Sequence, residues 1–194
     1  TYTGDTTLFS GSLGVGGSNP IGTGTLIFNG GRLTSSYWGW GYTIANPVRI
    51  VADCSIGSEL VFTNSVTLEG EYAIECYVTG EVEFRGVVSG PYGLTKTSFG
   101  TLILSGANTY SGDTTVTDGV IRLGANEAIP KGAGKGNVSL TGWARLDLNG
   151  WNQTINGLSG DGIIDNYCSA SNSTLTIGDV NATGAFSGVI RNTY

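Results

Sequence analysis

Apolar residues recur at every second position through much of this 194-residue chain. Leu102 and Leu104 flank Ile103, Val138 and Leu140 flank Ser139, Leu146 and Leu148 flank Asp147, and Val82 and Phe84 flank Glu83. A period of two turns one side chain in and the next out, which predicts β-strands. The runs are three to six residues long and are cut by Gly or Asn-Gly, as at Asn29-Gly30-Gly31, Asp118-Gly119, Asn149-Gly150 and Asn156-Gly157. No window predicts a helix of ten or more residues.

Short strands separated by Gly turns can build a sandwich, a barrel or a solenoid. Internal repetition selects the solenoid. Thr1-Tyr2-Thr3-Gly4-Asp5-Thr6-Thr7-Leu8 returns as Thr109-Tyr110-Ser111-Gly112-Asp113-Thr114-Thr115-Val116, 108 residues later. Val82-Glu83-Phe84-Arg85-Gly86-Val87-Val88 returns as Gly184-Ala185-Phe186-Ser187-Gly188-Val189-Ile190, an offset of 102. Repetition of this kind argues for stacked units, each burying its apolar face on its neighbour.

Asn192-Thr193-Tyr194 also matches Asn108-Thr109-Tyr110. The expected organisation is one continuous solenoid over residues 1–194, with pseudo-repeat units 1–108 and 109–192 and with 193–194 beginning a third. An atypical insertion around 34–81 interrupts the first unit. At about 21 residues and 4.8 Å per coil, roughly nine coils would span a little over 40 Å. The ends, Thr1 and Tyr2 at one side and Thr193 and Tyr194 at the other, are expected to stack end to end, in a tandem array or between subunits.

Composition narrows the chemistry. There is no His, which excludes Ser-His-Asp catalysis, Cys-His zinc sites and imidazole switches. The absence of Met suggests a processed chain or a piece of a longer one. Nine basic and fifteen acidic residues give a net charge of −6 without a Lys/Arg cluster, so no nucleic-acid partner is expected. No apolar run is long enough for a direct membrane span. Polarity comes mainly from 24 Thr, 18 Ser and 14 Asn, residues that favour turns and, for Thr, strands.

The stretch from Gly93-Leu94-Thr95-Lys96 through Gly100-Thr101-Leu102-Ile103-Leu104-Ser105-Gly106-Ala107-Asn108-Thr109-Tyr110 to Gly112-Asp113-Thr114-Thr115-Val116 resembles the autotransporter passenger-associated β-strand repeat. Leu146-Asp147-Leu148-Asn149-Gly150, Gln153-Thr154-Ile155 and Gly157-Leu158-Ser159-Gly160 are similar to later segments of the same repeat. The resemblance covers residues 82–192 well and 1–33 more loosely, and it fades over 34–81. It implies an all-β, right-handed parallel β-helix in large bacterial proteins that are secreted or displayed at the cell surface, with no catalytic residues in the repeat.

Several residues could still carry chemistry. Tyr37, Trp38, Trp40 and Tyr42 form the densest aromatic cluster, read either as cover for a loop or coil, or as an interface or glycan contact. Cys54 and Cys76 lie 22 residues apart, about one coil, so they are either a cross-rung disulfide or a pair of buried thiols. Cys168 is then left over. Acidic residues beside Gly, such as Asp5, Asp113, Asp118 and Asp161, read as turn residues. Calcium at Asp161 to Asp165 fits no loop motif. Glu69, Glu71 and Glu75 are the nearest to a carboxylate cluster, with surface solvation the simpler account. Four Asn-x-Ser/Thr sequons, at Asn137, Asn152, Asn172 and Asn181, read as chance in so Asn- and Thr-rich a chain.

The sequence thus predicts a non-enzymatic structural segment of an extracellular filament or stalk that stacks head to tail, with no metal and no cofactor. Its expected partners are other copies of itself and, in the alternative of an adhesin passenger, a surface glycan or host surface met through residues 34–81.

Overall fold

A computed structural model describes residues 2–17, 20–35, 41–57, 59–77, 80–168 and 171–193. The chain visits three sheets in turn. The first holds Thr6–Leu8, Leu26–Phe28, Val48–Ile50, Val66–Leu68 and Val88–Ser89, and every neighbouring pair is parallel. The second and third each hold eight strands, from Ser12–Val15 to Leu158–Gly160 and from Tyr42–Ile44 to Val189–Asn192. Gln153–Ile155 and Leu175–Ile177 make a separate parallel pair. The architecture is a parallel β-solenoid of about eight turns.

Eight rungs rather than nine reflect longer coils. The advance from one rung to the next runs from 18 residues, Tyr42 to Leu60, to 26, Ile163 to Val189. Surface loops lengthen the later coils, as between Thr114 and its partner Val138. At 4.8 Å per rung, seven steps span about 34 Å.

Alternation in sequence becomes ladders in the core. On the third sheet Tyr42, Leu60, Val82, Leu102, Ile121, Leu146, Ile164 and Ile190 stack in register. Beside them Ile44, Phe62, Phe84, Leu104 and Leu123 are all fully buried. The Phe62 and Phe84 rings meet edge to face, 5.3 Å between centroids, a geometry worth about 0.5–1.5 kcal/mol beyond their burial.

The stretch expected as an insertion around 34–81 continues the rungs. Tyr42–Ile44, Val48–Ile50, Cys54–Ile56, Leu60–Phe62, Val66–Leu68 and Ala73–Cys76 all pair in register with neighbouring coils. The repeated octapeptide, meanwhile, falls on different sheets: Thr6–Leu8 lies in the first and Thr114–Val116 in the second. What repeats is therefore a turn-and-strand unit rather than a whole number of coils.

Between Val88–Ser89 and Gln153–Ile155 the first side of the coil has no strand, and side chains take over the backbone pairing. Asn108 accepts the Val88 N–H at 2.7 Å and donates to the Ala128 carbonyl at 2.8 Å, spanning three rungs. Gln153 pairs in the same way with both the N–H and the carbonyl of Ile129. Each buried amide thus satisfies backbone groups that would otherwise be orphaned.

Candidate functional site

The repeat residues most distinctive in sequence turn out to face inward. Lys96 sits in the core ladder of the second sheet between Ile74 and Val116 and is fully buried. Its ammonium donates to the carbonyls of Thr97 at 3.1 Å, Asp118 at 3.0 Å and Ser98. Burial pushes the ammonium below its usual range, against the pull of Cys76 and Asp118. Tyr110 is fully buried and shares a 2.7 Å hydrogen bond with the Thr114 hydroxyl. These groups hold turns and rungs together and are closed to solvent.

Of the aromatic cluster, Tyr37, Trp38 and Trp40 lie outside the described residues. Tyr42 is half-buried against the core, in register with Leu60, so its ring is packing rather than a free contact surface. Thr1 and Tyr194 also lie outside the described residues. Tyr2 is 58% exposed, and its hydroxyl donates to the Asp5 carbonyl at 2.6 Å. The Thr193 hydroxyl, 2.7 Å from Asp165, is tied back to the preceding rung.

Cys54 and Cys76 are buried free thiols, which corrects the cross-rung disulfide. The register pairs Cys54 with Ile74 and Cys76 with Ile56, so the cysteines are diagonal neighbours displaced by two residues. That places their Cα atoms roughly 8 Å apart, beyond the reach of a disulfide. Burial pushes the Cys76 thiol up to about 12 and raises Cys54 further.

The three glutamates do not converge. Glu69 pairs with Arg49, 2.9 Å from Nη2, Glu71 accepts the Gly93 N–H at 3.2 Å, and Glu75 lies in register between Ser55 and Thr97. Asp161 accepts the Gly142 N–H at 2.7 Å, while Asp165 is fully buried and held by Arg191 and Thr193. Among the described residues no three His, Cys, Asp or Glu gather where they could hold a metal ion.

A site that strand periodicity did not reveal lies on the ridge where the second sheet turns into the third. Phe99 follows Leu94–Thr97 and is 77% exposed, and Trp143 follows Val138–Leu140 and is 86% exposed. The turn between them in the stack carries Asp118 and Gly119. A groove of about 360 Å³ opens there, with Val120, Arg145 and Ile163, successive outward positions of the third sheet, among its lining residues. The Nε of Arg145 is buried without a hydrogen-bond partner; Nη1 makes a long ion pair with Asp165, 3.8 Å away, and the guanidinium lies 5.6 Å from the centre of the Tyr167 ring. Asp165 is already taken by Arg191, whose Nε is 2.9 Å away. Hydrogen bonds from Thr193 and Arg191 outweigh the cost of burial and hold the Asp165 carboxyl below its usual range. The sequence signal was a large aromatic inside a Gly turn, Ser98-Phe99-Gly100 and Gly142-Trp143-Ala144.

Fold and surface together define a β-solenoid repeat protein whose motif residues Lys96 and Tyr110 are scaffold and whose most exposed aromatic side chains, Phe99 and Trp143, stand on its turns. Residues 94–123 match the family model described as Passenger-associated-transport-repeat, so the chain carries the autotransporter passenger-associated repeat. Over 202 aligned residues it is 33% identical to Adhesin BmaC autotransporter of Brucella suis biovar 1 (strain 1330). That alignment covers 97% of this chain and 5% of the relative, so the chain spans about one-twentieth of that protein. No solved structure matches the chain significantly.

Proposed function

We propose that the chain is a non-catalytic segment of a secreted or surface-displayed adhesin passenger, whose solenoid holds a binding surface away from the cell. The observation that carries this reading is similarity along 97% of the chain to an autotransporter adhesin. The continuous parallel ladders of the second and third sheets suit the task, because a stack of backbone-paired rungs is stiff and can be extended by adding coils. Displaying the chain on a non-adherent bacterium tests it. The expected result is attachment to host cells or matrix above that of the empty display strain; attachment equal to that strain would sink the adhesive role.

A second reading, head-to-tail stacking of this segment on further coils or on copies of itself, is favoured by the last described rung. Ile190 is 59% exposed although its equivalents in the preceding rungs, Ile164 and Leu146, are buried. Such an open strand edge calls for a partner or a cap. Electron microscopy of the native protein would support stacking if it shows rods longer than the roughly 34 Å of this segment. Monodisperse short particles at high concentration would oppose it.

A further inference from the structure

Two of the most exposed aromatic rings on the described surface stand on one ridge, and nothing in the fold needs them there. The strands preceding Phe99 and Trp143 flank Thr114–Val116 on either side, so the rings are two rungs apart, about 10 Å along the axis. The intervening turn carries Asp118 and Gly119, and the groove opens between the two rings above it. Below the gap lies Arg145, whose guanidinium lies 5.6 Å from the Tyr167 ring centre and approaches a carboxylate only at 3.8 Å, that of Asp165, which Arg191 and Thr193 already bond. Asp118 lines the same groove, with one carboxylate oxygen committed to the Gly119 N–H and the other free of that bond.

These features select a ligand. Flat rings spaced along a ridge offer faces on which rings with an apolar side can stack, and charged side chains between them fix orientation. An arginine with unused donors fits a planar carboxylate. A nucleic acid would call for a row of basic side chains along the ridge, and the lining offers only Arg145 and Arg191, the latter bonded to Asp165. A stable protein partner needs on the order of 800 Å² on each side, a broad surface rather than a narrow open ridge. What remains is a polymer of rings with apolar faces, hydroxyl edges and carboxylates.

We propose that the groove between Phe99 and Trp143 binds an acidic glycan lying along the solenoid axis. Sugar faces stack on the two aromatic rings, and the carboxylate of an intervening uronic acid meets Arg145. Asp118 accepts sugar hydroxyls. This assignment rests on the reading of the chain as a surface passenger segment and names the class of ligand it meets.

Calorimetric titration of the 194-residue chain with a galacturonate hexamer tests it, with a neutral galactose hexamer and polyglutamate as comparisons. The uronate should bind, and both comparisons should bind at least about tenfold more weakly. Trp143→Ala and Phe99→Ala, at positions too exposed to disturb folding, should each weaken uronate binding by about tenfold or more. Arg145→Gln should bring uronate affinity down to that of the neutral hexamer. Failure of the uronate to bind, equal binding of polyglutamate, or unchanged affinity in Trp143→Ala would each overturn the proposal. Attachment of the displayed chain separates this from the adhesin reading. If the uronate fails to bind while the displayed chain attaches, the groove assignment falls and the adhesive role stands. If uronate binds in the predicted pattern but the displayed chain does not attach, the glycan site stands and the adhesive role falls.

Discussion

The ammonium of Lys96 lies 3.0 Å from the carbonyl oxygen of Asp118 on the next rung, and it also binds the carbonyls of Thr97 and Ser98 on its own turn. Ser98 and Gly119, the residues that bend the chain at these two corners, both have positive φ, 68° and 69°. One buried cation therefore clamps two consecutive corners. Replacing Lys96 with Met keeps much of the apolar stem and removes the donors, leaving three carbonyls to find water. The expected cost is about 1–3 kcal/mol, read as a lower urea midpoint for the 194-residue chain. An unchanged midpoint would show that the clamp adds nothing.

Gly160 ends the last strand of the second sheet with φ 99°, and a Cβ there would run into the carbonyl oxygen of Leu140. Gly142, φ 62°, has open space around its Cβ position. Gly160→Ala should therefore cost more than about 2 kcal/mol, combining backbone strain with a clash against the ladder. Gly142→Ala should cost about 1 kcal/mol, from its left-handed backbone alone. Thermal unfolding of the two variants side by side distinguishes them, and equal losses would contradict the close approach at Leu140.

Burial keeps Cys54 and Cys76 protonated, and register keeps them apart. Cys168 is only half-buried. Alkylation of the native chain, followed by mass spectrometry, should therefore label Cys168 first and the other two only on unfolding. Recovery of a Cys54–Cys76 disulfide after mild oxidation would refute the register.

Without His, no side chain of the ordinary imidazole range titrates near neutrality, so stability should be flat between about pH 6 and pH 7.5. Asp165 behaves differently at lower pH. Its folded carboxyl lies below the ordinary 3.8, so as pH falls the unfolded chain takes up this proton first. Its stabilisation is full well above 3.8 and is lost as pH drops through the folded value. Denaturant midpoints measured between about pH 5 and pH 3 should fall less steeply in Asp165→Asn than in the wild type. Parallel profiles would mean that the Arg191 and Thr193 contacts are not made in solution.

Periodicity and punctuation made the strands legible: Val82 and Phe84, Leu102 and Leu104, and Val138 and Leu140 are all buried, as their alternation demanded. Local alternation fixes which residues face in, because successive strand side chains must point to opposite sides. It could not place Lys96 inside, since only the corner carbonyls of two adjacent rungs make burial of an ammonium tolerable. It could not deny the Cys54–Cys76 bond either, because a spacing of about one coil leaves the register free by two residues, and pairing decided it.

The sequence by itself determined that this chain forms short strands, that they stack, and that it lacks imidazole chemistry, all consequences of residue type and near-neighbour spacing. Only the tertiary structure decided that Phe99 and Trp143, 44 positions apart in the chain, stand on one ridge over Arg145. In a solenoid, residues become neighbours through the length of each coil. Here that length varies from 18 to 26 residues with the loops each turn happens to carry.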